Sequence, residues 1–486
     1  MKTILILSIA LTCYAQSTRS YLTNQGFSPW RDHGEWTEVG GVELDVDPAR
    51  LLSVEGERVF VNGSGRTVHL VTEKEYGDMR LHIEFTVPKG SNSGVYFMGR
   101  YEIQIRDSYQ QKNTYPGNEC GGIYQRWDED RRPKGFEGHS PRIDAARPPG
   151  EWQWFEAIFR APRFENGVKV ENARFERVTH NGVIVHENVE VTGPTRAAMF
   201  EDEQPTGPLM LQGDHGPVAY RNIWVTDADL NPFFAMDTGT RDEEHVTFDQ
   251  QIDMLAELGY DGMDHTGVDR IDIKLDVLDQ YGLNLYAIYL DAWADEEEQW
   301  VNDGLEKVLP LLEHRPTCLW LPIRSNDYQP SDPAGDAGAI ALIRRIAEKA
   351  AQYDLDIALY PHSFFLLQTV GDAVRLAKKV DRPNVGVTFN LCHWLRTDKR
   401  DLEEVLTQAA PYLSMVTING ADHEGDWDRL IQPLDAGEFE VGKVLDLLDA
   451  LNYKGPIGLQ GYGIGGSVHE NLQRSMARWG ELNSDH

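Results

Sequence analysis

Ser91-Asn92-Ser93-Gly94-Val95-Tyr96-Phe97, followed closely by Tyr101-Glu102-Ile103-Gln104-Ile105-Arg106-Asp107, reads as a strand, a turn and a second strand. Successive strand residues point to opposite faces, so Glu102 and Gln104 share one face while Tyr101, Ile103 and Ile105 share the other. Asp107 stands five positions after Glu102 and joins its face only if a bulge inserts one extra residue. A carboxyl, an amide and a second carboxyl on one sheet face would make a floor for sugar chemistry. The same residues also suit the polar side of an ordinary sheet, and the pattern alone leaves both readings open.

Outward from this ribbon, the first half continues in short alternating runs rich in β-branched and aromatic residues. Val59-Phe60-Val61, Leu81-His82-Ile83-Glu84-Phe85, Trp154-Phe155-Glu156-Ala157-Ile158-Phe159 and Asn222-Ile223-Trp224-Val225 are punctuated by Gly, Pro and Asn, as in a β-sandwich. His180-Asn181-Gly182-Val183 predicts a hairpin, because Asn-Gly accepts the positive φ angles of a type I′ turn. Trp152 and Trp154 are expected in the sheet core, with a stacking shelf for carbohydrate as the alternative.

After Asp229 the rhythm changes. Predicted strands at 233–236, 260–264, 283–290, 318–323, 355–360, 385–389, 413–418 and 456–460 alternate with predicted helices, among them 248–258, 339–353, 369–380, 402–410 and 441–451. Eight β/α units in about 250 residues match a (β/α)8 barrel. A doubly wound open sheet is the alternative, disfavoured by the even spacing and by the lack of a phosphate loop after the first strand. The expected organisation is thus a jelly-roll sandwich over 16–230 and a TIM barrel over 231–486, with the boundary at Ala228-Asp229-Leu230-Asn231-Pro232. No flexible linker separates the halves, so they are expected to dock.

A length of 486 residues calls for two or three cores. The net charge of −32 is concentrated in residues 231–486, which hold 45 acidic and 21 basic groups. Such a surface repels nucleic acid and anionic lipid, which leaves neutral partners favoured. Residues 1–15 read as a secretory leader, with Lys2, an apolar run from Ile4 to Leu11 and a small-residue exit at Cys13-Tyr14-Ala15. The run is too short to span a bilayer. A periplasmic or extracellular protein is expected, with lipid attachment at Cys13 as the alternative. The remaining Cys120, Cys318 and Cys392 are odd in number and widely spaced, which argues for buried thiols rather than a disulfide framework.

Residues 36–228 resemble the 3-keto-disaccharide hydrolase domain, a concanavalin-like jelly roll. The resemblance rests on the two quoted strands, Gly122-Ile123-Tyr124, Gly207-Pro208-Leu209-Met210-Leu211-Gln212-Gly213-Asp214-His215-Gly216 and Tyr220-Arg221-Asn222-Ile223. It implies a glycoside oxidised to a ketone at C3. That ketone acidifies the C2 proton, so a base can form the enolate, the C1 substituent can leave, and water can add to the enone. On this resemblance Glu102 is the expected base, Asp107 its partner or an alternative acid, and His215 a proton carrier at neutral pH. Asn92, Gln104, Tyr124, Gln212 and Arg221 are expected substrate contacts. Open beside these stand a bracing role for Arg221 and a turn-capping role for His215. Ordinary retaining hydrolysis by Glu102 and Asp107, with carboxyls roughly 5–5.5 Å apart, and a lectin-like module without turnover also remain open.

Residues 233–483 resemble the xylose-isomerase-like sugar isomerase and epimerase superfamily, whose strand ends hold a divalent metal that polarises the sugar. Here Tyr360 stands where the family has Glu, Asn390 where it has Asp, Asn419 in the seventh-strand ligand region, and Gln460 where it has Glu, while His393 is retained. A divalent ion prefers anionic oxygen, and His362 with His393 would hold it weakly. No cofactor is therefore expected, with Asp264, Asp422 and His423 as fallback ligands. Arg324, Tyr360, His362, Asn390, His393 and Gln460 are expected as hydrogen-bonding groups of a sugar-shaped mouth. Support of the sandwich, metal-free proton transfer on a keto sugar, or a purely structural barrel all stay open.

Overall fold

The computed structural model describes residues 18–111 and 114–484. The leader reading of residues 1–15 and the lipid alternative at Cys13 lie outside the described residues.

The first half folds as two packed antiparallel sheets. The larger runs in the order 183–191, 173–180, 153–160, 79–86, 219–226, 51–61, 37–44, with Ser20–Tyr21 added beside 219–226. The smaller runs 70–76, 207–211, 92–97, 101–106. Alternation sets the core: Leu81, Ile83, Phe85, Phe155 and Phe159 of one sheet meet Val95, Phe97, Ile103, Ile105 and Leu209 of the other. Asn181 and Gly182 carry φ of 51° and 78°, the positive values that the hairpin reading requires.

The second half closes into a parallel eight-stranded barrel of Phe233–Ala235, Gly262–Thr266, Asn284–Tyr289, Cys318–Leu321, Asp356–Leu359, Val385–Asn390, Leu413–Ile418 and Ile457–Leu459. Each strand meets its sequence-predicted position to within a few residues, and the open-sheet alternative falls. Helix Phe248–Leu258 starts where Thr247 and Gln250 form a reciprocal capping box and stops at Gly259, whose φ is 86°.

The sandwich docks on the barrel's N-terminal end, the face that in such barrels serves stability rather than chemistry. Asp261 precedes the second barrel strand, Gly282 the third and Arg315 the fourth, and all three meet the outer face of the larger sheet. Arg80, 1% exposed, reaches Glu156 at 2.9 Å and Asp261 at 2.5 Å. Asp261 also accepts from Arg19 at 2.6 Å and from the Phe233 backbone N–H at 2.7 Å. The hairpin tip adds a backbone bond from Ile184 to the His314 carbonyl, and Trp154 donates its indole N–H to the Asp279 carbonyl. Trp154 is thus buried as expected, but against the barrel and not inside the sandwich, because it alternates with the inward Phe155. Trp152 is half-buried on the same outer side, beside Val59, Val61 and Ala219.

The guanidinium of Arg80 beside Asp261 and Glu156 holds both carboxyls below their ordinary range despite burial. Depressed carboxyls give stability that is fully present above the unfolded value near 4 and is lost as pH falls through the folded values. Asp261→Asn leaves Arg80 short of a partner and should cost about 3–5 kcal/mol in chemical denaturation at pH 7. The gap to the wild type should narrow as the pH is lowered toward 3.

Candidate functional site

Glu102 lies on the outer face of the smaller sheet, turned away from the barrel. Strand Asn92–Phe97 pairs with Tyr101–Arg106 without interruption, setting Tyr96 opposite Glu102, Gly94 opposite Gln104 and Asn92 opposite Arg106. Asn92, Gly94, Tyr96, Glu102 and Gln104 therefore share one face. Gly94 makes the arrangement possible, since a Cβ there would stand 2.2 Å from Glu102 Oε1. The glutamate side chain lies folded across this bare strip of backbone. The Gln212 N–H donates to the Gly94 carbonyl, which brings Gln212 alongside.

Three acceptors on this wall have no partner: Asn92 Oδ1, Glu102 Oε2 and Gln104 Oε1. Burial pushes the Glu102 carboxyl up to about 8, with a hydrogen bond from Tyr96 opposing the shift. The Tyr124 backbone N–H donates to the Glu102 carbonyl, and its hydroxyl shares a 2.8 Å bond with that of Tyr115. Glu102 is only 2% exposed. The acidic ribbon is thus covered, not open to solvent as a sugar floor would need to be, and half-buried Tyr124 is among the side chains beside it.

The other expected residues divide. With no bulge in the ribbon, Asp107 leaves the Glu102 face, and its Oδ2 accepts from the Gly90 N–H at 2.8 Å in the preceding turn. A Glu102–Asp107 pair facing one sugar is not formed. His215 is at the exposed rim beyond Gln212, its Nδ1 2.5 Å from Asp214 Oδ1, with His69 close by. Arg221 is on the larger sheet altogether. Its Nε donates to Glu84 at 2.6 Å, and its guanidinium lies 4.1 Å from the Trp152 ring. Together they line an interdomain cleft of about 630 Å³ with Arg147, Asn222, Gln280 and Tyr281. Sequence periodicity could not show this, because it gives the face of a strand and not the sheet that the strand joins.

At the barrel mouth the expected residues do converge. Asn390 donates to the Tyr360 hydroxyl at 2.5 Å and accepts from Cys392 Sγ and the His393 N–H. His393 Nδ1 accepts from the Ser363 N–H at 3.3 Å, and the His362 and His393 rings lie 4.0 Å apart. Gln460 Oε1 accepts from Thr238 and from the Tyr462 N–H. Arg324 pairs with Asp291 at 2.7 Å and stacks on Phe365. Burial holds His362 down at about 4 and His393 well below its ordinary value, so both rings are neutral. Asp422 is taken by Arg429 and the Glu438 N–H, and His423 packs on Phe439. Among the described residues no three His, Cys, Asp or Glu side chains form a metal-binding group. Asn390, His393 and Gln460 accept from nearby hydroxyl or backbone donors, Asn419 turns its Nδ2 to the Gly420 and Leu430 carbonyls and leaves its Oδ1 unpartnered, and this neutral donor set does not fit a divalent ion. Sequence reading gave Asp264 only a fallback metal role and passed over Asp237, whose N–H donates to Asp264 Oδ1, and Lys274, whose Nζ donates to the Asp264 main-chain carbonyl and lies 3.8 Å from the Asp237 carboxylate. Cys120, Cys318 and Cys392 are free and buried.

Residues 22–226 match the family model of the 3-keto-alpha-glucoside-1,2-lyase-like domain, and residues 252–479 match that of the xylose isomerase-like TIM barrel. The chain is a fusion of a 3-keto-disaccharide hydrolase domain and a xylose isomerase-like barrel. Among solved structures, it is similar over 43% of its length to 84% of a protein from Parabacteroides distasonis that carries a glycosyl hydrolase assignment (28% identity, TM-score 0.32). It is similar over 52% of its length to 99% of 3-keto-D-glucoside 4-epimerase from E. coli (18% identity, TM-score 0.44). It is also similar over 52% to 98% of D-allulose 3-epimerase from Methylomonas sp. (16% identity, TM-score 0.42). No curated protein matches the chain. No helix of the described residues is long and apolar enough to cross a membrane.

The Glu102 wall makes a signed stability prediction. The folded protein holds this proton more tightly than the unfolded chain, so Glu102 costs nothing below about pH 4.5, and its cost grows up to about pH 8. Glu102→Gln should therefore raise stability by on the order of 4 kcal/mol at pH 8, with the gain vanishing near pH 4 in paired denaturation curves. Gly94→Ala, which evicts the carboxyl from its strip of backbone, should return the Glu102 titration toward 4.5 when followed by carbon-13 NMR of the carboxyl.

Proposed function

We propose that the sandwich cleaves 3-keto glycosides at the Glu102 wall, by elimination followed by hydration. The observation that carries this reading is the row of unpartnered acceptors, Asn92 Oδ1, Glu102 Oε2 and Gln104 Oε1, on one buried face. Each such atom costs about 1–3 kcal/mol while unpaired, and the hydroxyls of a sugar are the donors that would satisfy them. A match to the 1,2-lyase-like family supports the elimination route.

In that route Glu102 takes the proton from C2, the electron pair forms the C1–C2 double bond conjugated with the C3 ketone, and the C1–O bond breaks. The departing oxygen is protonated at the rim, where His215 is the exposed proton carrier. Water added to C1, with a proton returned to C2, completes the net hydrolysis. A base raised to about 8 is better matched to a carbon acid than an ordinary carboxylate. A low-dielectric wall also strengthens every contact with the enolate. Since Glu102 is covered, the substrate must part the side chains above it. Tyr124→Ala should accordingly lower KM without raising kcat if this phenol obstructs the way. We further read the protein as exported, on its leader-like residues 1–15, which N-terminal sequencing of secreted material would check.

The decisive assay uses a 3-keto glucoside with a chromogenic aglycone and the Glu102→Gln protein. Binding retained with release slowed by at least a hundredfold, and a transient enone absorbance in the wild type, are the expected results. Release undiminished in Glu102→Gln removes Glu102 from the mechanism. Binding without turnover in the wild type would instead make the sandwich a lectin-like module.

A further inference from the structure

The cleft of about 630 Å³ at the junction of sandwich and barrel is large enough for a small-molecule ligand, and domain interfaces are where such sites gather. Two guanidinium groups reach it from the sandwich, and Trp152 fixes both. Arg147 donates Nη1 to the Trp152 carbonyl at 3.1 Å, and its backbone N–H donates to Gln153 Oε1 at 2.9 Å. Arg221 lies over the Trp152 ring with its Nε tied to Glu84. Both side chains are half-buried, so their positions are set while part of each fork stays open. Among the described residues neither Nη atom of Arg221 has a hydrogen-bond partner. Arg147 Nη2 stands 3.9 Å from Asp279, beyond hydrogen-bond reach, and Arg315 already holds both oxygens of that carboxylate.

Glu84 does not compete for these open donors. It is 5% exposed, and its two oxygens are taken by Arg221 Nε and by Asn222. Glu151, the other carboxylate of the lining, is exposed and screened by water. The opposite wall belongs to the barrel. Ala256 lies in the last turn of helix Phe248–Leu258, and Gln280 and Tyr281 end helix Ile271–Tyr281. The last carbonyls of a helix lack intrahelical donors, so this wall is rich in acceptors for hydroxyls. The partial negative charge of two helix ends keeps an anion on the sandwich side. There the planar N–H forks match a carboxylate in shape as well as in charge. We propose that the junction cleft binds a hydroxy-carboxylate, a sugar acid for example, with its carboxylate between Arg147 and Arg221 and its hydroxyls toward the helix ends. The net charge of −32 favours neutral partners for the surface at large, and two cations pinned in a cleft make a local exception.

Titration calorimetry of the full chain tests this, with D-glucuronate and D-gluconate as probes and D-glucose as the uncharged match in size. Saturable binding of at least one acid is expected, about tenfold tighter than that of glucose. It should weaken as salt is raised, since both partners are charged and the cleft is open. Its Kd should rise about tenfold in Arg147→Gln and in Arg221→Lys, the second keeping the charge but losing the planar fork. Glu102→Gln should leave the Kd unchanged, which separates this site from the cleavage proposed for the sandwich. Should Arg221→Lys fail to fold by loosening Glu84, Arg147→Gln, on a loop outside that pair, carries the test. The proposal is overturned by any of three results: no saturable heat with either acid, glucose bound as tightly as the acids, or an affinity that ignores a folded arginine variant or follows Glu102→Gln.

Discussion

Arg80 sits in the seam between sandwich and barrel with its charge almost wholly removed from water. A buried guanidinium is tolerable only beside carboxylates, and it has one from each side: Glu156 on its own sheet and Asp261 at the foot of the second barrel strand. Asp261 in turn satisfies Arg19 and the backbone of the first barrel strand. Removing one member would leave the others charged and unpaired in a dry interface, so the sandwich and the barrel are held in one orientation. The eight-stranded sheet therefore serves two cores, giving its apolar face to the sandwich and its polar and aromatic face to the barrel.

This docking fixes the functional geography. Because the sandwich covers the N-terminal end of the barrel, the mouth faces away from it, and the Glu102 wall lies on the far side of the smaller sheet. The two candidate sites stand at opposite ends of the molecule, with a double sheet and the barrel core between them. The open cleft at the junction, with Arg221 and Trp152, belongs to neither site.

Both sites share a physical character that neither composition nor net charge announces. Each is a buried patch whose polar atoms outnumber their partners, with a carboxyl that burial pushes above its ordinary range. At Glu102 the cause is a glycine that lets the side chain lie flat on the sheet. At Asp264 it is enclosure within the barrel beside a second carboxylate. Such groups lower stability and persist where a ligand repays the cost, a trade expected of functional sites.

Period and punctuation in the sequence determined the two architectures, since strand alternation, the Asn181-Gly182 turn and eight β/α units depend on neighbours along the chain. They also placed Glu102 and Gln104 on one face. Only the tertiary structure decided which face was covered and which residues met. Asp107 needed a bulge that the ribbon lacks, Arg221 stands on the other sheet from Glu102 and meets Glu84 there, and Trp154 found its partner more than a hundred residues away. Local pattern fixes which side chains alternate, whereas burial and partnership depend on long-range packing that no short stretch of sequence encodes.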